Sequence, residues 1–201
     1  MVVLTAHGGS SPQSPDLFDE IYSRGQNIER TLKTVRAEFT EISHSRLLAK
    51  PLISRGVLAV ERPGRIVLRY LEPETRVVLI AGDLLTLSWP SRTIYQQSNV
   101  GTAQRRIEKY FAGRSPAELR EHFAIAATVD KDQPKMWRVT LVPKRKQLKE
   151  AVTRIDLWIT QDAVVLSSIK MEFLNGDTKL MTFGGIVLNN PIDAAMFSVP
   201  R

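Results

Sequence analysis

The stretch VERPGRIVLRY, Val60–Tyr70, contains a complete reverse turn between two alternating segments. Apolar and polar residues alternate before and after Arg62-Pro63-Gly64, and a proline followed by a glycine is typical of such a turn. The period of two predicts a β-strand on each side. We therefore expect an antiparallel hairpin that pairs Leu52–Glu61 with Arg65–Leu71.

Arg62 interrupts the pattern of this hairpin. Counting in steps of two places it with Leu58 and Val60, on the apolar face of the strand. A guanidinium on an apolar face is costly unless its donors find acceptors. Two arrangements would satisfy it: the side chain reaches the rim of the sheet, or it donates to backbone carbonyls of a helix packed over that face.

Helices are predicted at three places along the chain. Ser14-Pro15-Asp16 is typical of a helix start, and apolar residues at helical spacing extend this helix from about Pro15 to Arg36. A second helix is expected at Thr102–Ala112, and the capping box Ser115–Glu118 begins a third. Further strands are predicted at Phe39–His44, Val77–Ala81, Leu84–Trp89, Ile94–Gln97, Ala124–Val129, Met136–Val142, Val152–Thr160, Val164–Leu174 and Lys179–Leu188.

The order of these segments decides the fold class. Strands follow one another without alternating helices, which favours antiparallel over parallel pairing. About ten or eleven strands in one sheet curl towards a barrel, and Gly184-Gly185 predicts a bulge in the bend. We expect an α+β fold that is mainly antiparallel β: a strongly curved, incomplete barrel with a helical lid over a hydrophobic cavity. Residues 14–201 would form this single domain, and residues 1–13 a flexible tail.

Composition favours a binding protein over an enzyme. The 201 residues carry a net charge of +7, with three isolated histidines and no cysteine, so the sequence predicts no metal site, no cofactor and no catalytic residues. The charge leaves a nucleic-acid-binding barrel as a distant alternative, in which Arg65 and Arg69 would form an outward basic stripe with Val67. The cluster Lys144-Arg145-Lys146 is interpreted as a solvated loop.

The apolar face of the predicted sheet has two interpretations. It could form a filled core, but a half-barrel capped by few helices favours an internal cavity. The side chains predicted to line the cavity, by parity or helical spacing, are Leu58, Val60, Ile66, Leu68, Tyr70, Ile80, Leu85, Leu87, Ile107, Phe111, Phe123, Ile169, Met171 and Phe173.

Four segments in order resemble the outer-membrane lipoprotein carriers of the LolA type. Arg62-Pro63 with its following strand and Pro73 is similar to that family's RPxxFxW…P motif. Val78–Gly82 resembles a strand ending in DG, Leu141–Lys144 resembles LTPK, and Leu188–Pro200 resembles the closing N-x-x-[IV]-D-A-x-x-F-x-F-x-P segment. Family phenylalanine and tryptophan are replaced here by Ile66 and Leu68, and the aspartate before glycine by Ala81, so a divergent member is expected.

The resemblance implies a monomeric periplasmic carrier, with its signal peptide removed. It would bind lipoprotein acyl chains, receive them from an inner-membrane releasing complex and deliver them to an outer-membrane receptor. The family's cavity arginine corresponds to Arg62, which implies that Arg62 is the lid latch, bonded to lid backbone in the closed state. A carrier or sensor of another lipid or amphiphile, with the same fold, remains the alternative.

Overall fold

The computed structural model describes residues 16–101 and 115–200. Their helices are α1 Leu17–Glu29, α2 Pro116–His122 and α3 Lys146–Ala151, with 3₁₀ turns at Pro90–Arg92 and Ala194–Phe197. Their strands are β1 Thr34–His44, β2 Leu52–Glu61, β3 Arg65–Glu72, β4 Arg76–Ala81, β5 Leu84–Trp89, β6 Ile94–Asn99, β7 Phe123–Val129, β8 Met136–Pro143, β9 Arg154–Thr160, β10 Leu166–Glu172 and β11 Thr178–Leu188.

All eleven of these strands belong to one antiparallel sheet. Its order is β6-β5-β4-β3-β2-β1-β11-β10-β9-β8-β7, so β1 at the centre pairs with both β2 and β11. The chain meanders outward from β1 to one edge, resumes at the opposite edge with β7, and returns to the centre. The predicted fold class is therefore confirmed, and so is the β2–β3 hairpin from which the prediction began.

The bend of the sheet is sharpened by a bulge where β1 meets β11. Pairing slips between Arg36 and Glu38, because their partners Val187 and Gly184 are three residues apart. Gly185 has a φ of +56°, a left-handed conformation that glycine adopts without a Cβ clash. The bulge predicted at Gly184-Gly185 is confirmed.

The first helix is shorter than the sequence indicated. Asp16, not Ser14, provides the N-cap, since its side chain accepts a hydrogen bond from the Asp19 amide at 3.0 Å. The helix ends at Glu29 instead of Arg36, and β1 begins at Thr34. The prediction was wrong because residues 34–36 fit both the helical and the strand period. Their pairing with both β2 and β11 favours the strand.

Two further helices also test the sequence analysis. The capping box at the start of α2 is confirmed, with Ser115 and Glu118 each bonding the other's backbone. Lys144 and Arg145 lie in an exposed loop, as predicted, whereas Lys146, which is also exposed, begins α3. The predicted helix Thr102–Ala112 lies outside the described residues.

The concave face of the sheet carries the helices. Buried α1 and α2 residues pack there against β7, β8 and β9 and form the largest core cluster. Its buried members are Phe18, Ile21, Leu119, Phe123, Trp137, Val139, Leu141 and Ile155. None of the helices in the described part of the chain is long and apolar enough to cross a bilayer.

The convex face of β2–β5 is covered by the C-terminal segment. Phe197 and its apolar neighbours pack on Ala59, Val67 and Val77, and Val67 is 0% exposed. Arg69 holds this segment, since its Nε donates to the Met196 carbonyl at 2.7 Å and its Nη2 to the carbonyls of residues 195 and 198. The predicted outward basic stripe is therefore wrong. Alternation identified the face of these residues but not the chain that covers it.

Candidate functional site

An apolar cleft of about 320 Å³ lies between the second half of α1 and the concave face of the sheet. Its walls come from α1, the following linker, β1, β2, the β9–β10 turn and β11. It is lined by Gly25, Ile28, Glu29, Leu32, Val35, Ala37, Leu58, Val60, Val164, Val165, Leu166, Phe183, Ile186 and Leu188. Glu29 is the only ionisable residue among these fourteen.

A second cleft of about 360 Å³ lies on the other side of α1. Gly25, Glu29, Val164 and Leu166 line both clefts, so α1 and the β9–β10 turn separate two parts of one apolar groove. Each part falls at the lower end of the range for small-molecule sites, about 300–1,000 Å³. The residues that line only the second of these clefts are Phe18, Ile21, Tyr22, Gln26, Leu119, Val139, Leu141, Leu157 and Ile159.

Strand register explains why the floor of the first cleft is apolar. Val35 of β1 lies opposite Val60 of β2, and Ala37 lies opposite Leu58. Directly opposed residues in an antiparallel sheet share a face, so these side chains form one continuous aliphatic wall. Above it, a Cβ added at Gly25 would meet no heavy atom within 4 Å, apart from its chain neighbours and the backbone of α1 itself. The helix therefore leaves space over the floor.

Arg62 lies at the rim of the groove. β2 ends at Glu61, so Arg62 stands in the turn, where strand parity no longer decides its direction. Its Nη1 donates to the Glu29 carboxylate at 3.1 Å and contacts the Glu29 carbonyl at 3.5 Å. Its backbone amide donates to the carbonyl of Lys33 at 2.9 Å. The side chain thus reaches the rim and also bonds the last turn of α1, although 44% of it remains exposed.

The opposite end of the concave face is polar. Glu41, which is buried, accepts a hydrogen bond from the Tyr70 hydroxyl at 2.9 Å and lies 3.2 Å from Nζ of Lys179. Arg76 stacks on the Tyr70 ring, 3.7 Å from its centre. Burial, together with the charge and hydrogen bond of Glu41, raises the pKa of Tyr70 to about 12. The concave face therefore changes from aliphatic side chains near Arg62 to charged side chains near Glu41.

The predicted lining residues fall into several groups. Leu58 and Val60 line the first cleft. By register, the same face of the neighbouring strands carries Ile66, Leu68, Ile80, Leu85 and Leu87. Tyr70 and Ile169 pack with Phe39 and Met181 in the middle of the sheet, and Met171 packs on the cluster under α1.

Of four other predicted positions, two lie elsewhere and two lie outside the described residues. Phe123 begins β7 instead of belonging to a helix, and it is buried in the largest core cluster. Phe173 lines a surface cleft near His44 at the polar end. Ile107 and Phe111 lie outside the described residues.

Sequence reasoning missed much of the first cleft. Leu32 and Val35 were assigned to a helix, and Val164 belongs to a turn. Phe183 and Leu188 were predicted to be in a strand, but the bulge between them changes which side chains face the groove. The glycine pair was the available signal for that change. Among residues 16–101 and 115–200, no group of three or more His, Asp or Glu side chains is placed to hold a metal ion.

Comparison with known proteins agrees with this architecture. The family described as outer membrane lipoprotein carrier protein LolA matches residues 30–200. The chain belongs to the LolA family. No curated protein sequence matches it significantly.

Several solved structures align with this LolA family member at low sequence identity. An uncharacterized conserved protein from Thermus thermophilus aligns with a TM-score of 0.57 and 9% identity, over 92% of this chain and 96% of that one. A chain of the Pseudomonas aeruginosa MucA/MucB complex gives 0.53 and 11%, over 90% of this chain and 60% of that one. A LolA superfamily protein from Nitrosomonas europaea gives 0.44 and 10%, over 89% and 96%.

Proposed function

We propose that this protein carries the acyl chains of lipoproteins in the groove under α1 and delivers them, in the periplasm, from an inner-membrane releasing complex to an outer-membrane acceptor. The observation that supports this most strongly is the apolar cleft itself, with thirteen uncharged lining residues out of fourteen. Membership of the LolA family supports the same role.

The physical need for such a groove follows from the cargo. Burying a methylene group is worth about 0.8 kcal/mol, so a sixteen-carbon chain exposes roughly 12 kcal/mol of apolar surface to water. Aliphatic walls such as Val35, Leu58 and Leu188 provide adhesion without directional bonds, which suits chains of different length and saturation. The function requires binding and release, and it needs no reacting group.

Release requires that the empty state compete with the loaded one. In the proposed cycle α1 covers the groove when cargo is absent, and Arg62 is the latch that holds its last turn through Glu29. Cargo that enters beneath α1 must displace this contact, which lowers its net affinity. Because both side chains are about half exposed, the latch contributes weakly, and most of the competition comes from the apolar packing of α1.

A triacylated lipopeptide with a fluorescent acyl group tests the proposal. Val60→Trp places a bulky side chain in the cleft, whereas Val57→Trp changes the same strand on its opposite, convex face. If the indole excludes about two methylene groups, affinity falls about tenfold. Val57→Trp binds like the wild type, and circular dichroism checks that both variants fold.

The outcomes separate the carrier from its alternatives. Equal loss of binding in both variants would contradict the assignment of the cleft, and so would unchanged binding in both. If lysophospholipid binds in the cleft but the lipopeptide does not, the protein is a carrier or sensor of another amphiphile. Salt-sensitive binding of oligonucleotides, with lipopeptide ignored, would instead support the nucleic-acid alternative.

A further inference from the structure

Three exposed leucines stand together at one end of the sheet. Leu47 and Leu48 occupy the β1–β2 loop and are 93% and 48% exposed, and Leu174 in the β10–β11 loop is 69% exposed. These loops are neighbours, because β1 pairs with β11. Soluble monomers carry single exposed apolar residues routinely, but a group of them raised on loop tips marks a contact surface.

Hydrogen bonds fix the shape of this end. The Leu48 amide donates to the Ser45 carbonyl at 3.0 Å, and the Arg46 amide donates to the Asp177 carboxylate in the neighbouring loop at 3.1 Å. The Arg46 guanidinium lies against Gly176, where a Cβ would approach its Nη2 to 2.7 Å. The two loops therefore form one joined surface that presents the leucines outward.

Cations outnumber carboxylates around the leucines, where Asp177 accepts a hydrogen bond from the Arg46 amide. Between Glu41 and Glu61 the chain carries no carboxylate and three cations, Arg46, Lys50 and Arg55, of which Arg55 is paired with Glu72 at 2.6 Å. Helix α3 contributes Lys146 and Lys149 at the same end of the sheet, and its last residues, Glu150 and Ala151, line a surface cleft together with residues of both loops. Exposed leucines flanked by lysine and arginine match the interface of an anionic bilayer, where apolar side chains enter the acyl boundary and cations meet the headgroups.

We propose that this end of the sheet, the leucine end, docks the protein on membranes that contain anionic phospholipids. It comprises Leu47, Leu48 and Leu174 with the cations Arg46 and Lys50. It lies at the opposite end of the strands from Arg62, since β2 begins beside Lys50 and ends at Glu61. Docking there leaves the α1 latch and the first cleft away from the contacted bilayer.

Vesicle flotation tests this inference with the intact chain. The wild type binds vesicles of phosphatidylcholine with a minority of phosphatidylglycerol, and binds phosphatidylcholine alone more weakly. The double variant Leu47→Gln with Leu48→Gln reduces binding to the mixed vesicles about tenfold or more. Lys50→Gln reduces it about fivefold, and only on vesicles that contain the anionic lipid.

Leu84→Gln is the matched control, because Leu84 is 40% exposed but begins β5 at the opposite end of the sheet. It binds vesicles like the wild type. Wild-type protein that fails to bind anionic vesicles would overturn the proposal, and so would leucine and control variants that bind equally. Self-association of the wild type that the double leucine variant abolishes without lipid would also overturn it. Lipopeptide binding by the double variant is unchanged, so failure here and failure of the carrier function are distinguishable.

Discussion

Replacing Arg62 measures the strength of the proposed latch. Arg62→Gln removes the 3.1 Å ion pair with Glu29 but keeps the backbone bond from residue 62 to the Lys33 carbonyl. The two side chains are 44% and 56% exposed, and such pairs contribute about 0.2–1 kcal/mol. The 3.5 Å contact with the Glu29 carbonyl is at the limit of a hydrogen bond and adds little. The closed state therefore loses at most about 1 kcal/mol.

That loss predicts a small increase in cargo affinity, up to about fivefold, because cargo no longer displaces the pair. The assay is a titration of fluorescent acyl probe into wild type, Arg62→Gln, Glu29→Gln and the double variant. If the contact acts as a pair, the double variant resembles either single variant. Arg62→Leu gives the same increase or a slightly larger one, and slows transfer to an acceptor membrane. Unchanged or weaker binding in all three variants would refute the competition between latch and cargo.

Three further predictions concern stability and titration. Burial alone would raise the pKa of Asp156, but hydrogen bonds from Arg154, Thr140 and Arg138 lower it from 3.8 to about 2. The ionised carboxylate therefore stabilises the fold by about 2 kcal/mol above about pH 4, and this stabilisation is lost as the pH falls through about 2. Asp156→Asn is less stable to urea at neutral pH and does not lose this stabilisation in acid. If the variant loses stability in acid as the wild type does, the assignment to Asp156 is contradicted. Ultraviolet titration shows a tyrosine ionisation near pH 12, which Tyr70→Phe removes. If that step persists in the variant, it does not belong to Tyr70. Arg69→Met destabilises the protein by about 2–4 kcal/mol, since hydrogen bonds from charged groups contribute about 1.5–3 kcal/mol each and these are partly exposed. Hydrogen exchange then rises in residues 189–200 first, and uniform exchange throughout the chain would contradict a local clamp.

The local pattern of apolar and polar residues was sufficient to predict most strands of the sheet. The hairpin around Arg62-Pro63-Gly64 was predicted correctly because alternation and turn chemistry agree there. Local sequence signals were also sufficient for the capping box at Ser115. At Val35 the helical spacing of apolar residues conflicts with strand pairing, and the pairing of β1 with β2 and β11 decided the outcome. That pairing is long-range, so no single segment of the sequence contains the information.

The candidate site was less predictable than the fold. Parity placed Leu58 and Val60 on the groove wall, but it could not extend past the end of β2 to Arg62. It also could not show that a distant segment covers Val67, because that depends on where the chain goes after β11. Side chains from turns and from beyond a bulge, such as Val164 and Phe183, enter the groove without any periodic signal.

Photo-crosslinking by an acyl chain is the most direct test of the groove. A lipopeptide that carries a diazirine near the end of one acyl chain is bound to the intact protein, irradiated, digested and mapped by mass spectrometry. We expect adducts concentrated on α1 near Ile28, on β2 near Leu58 and at the end of the β9–β10 turn near Leu166, all of which line the first cleft. Free fatty acid in excess suppresses these adducts. Adducts spread over the convex face, or confined to the leucine end, would show that acyl chains do not occupy the groove beneath α1.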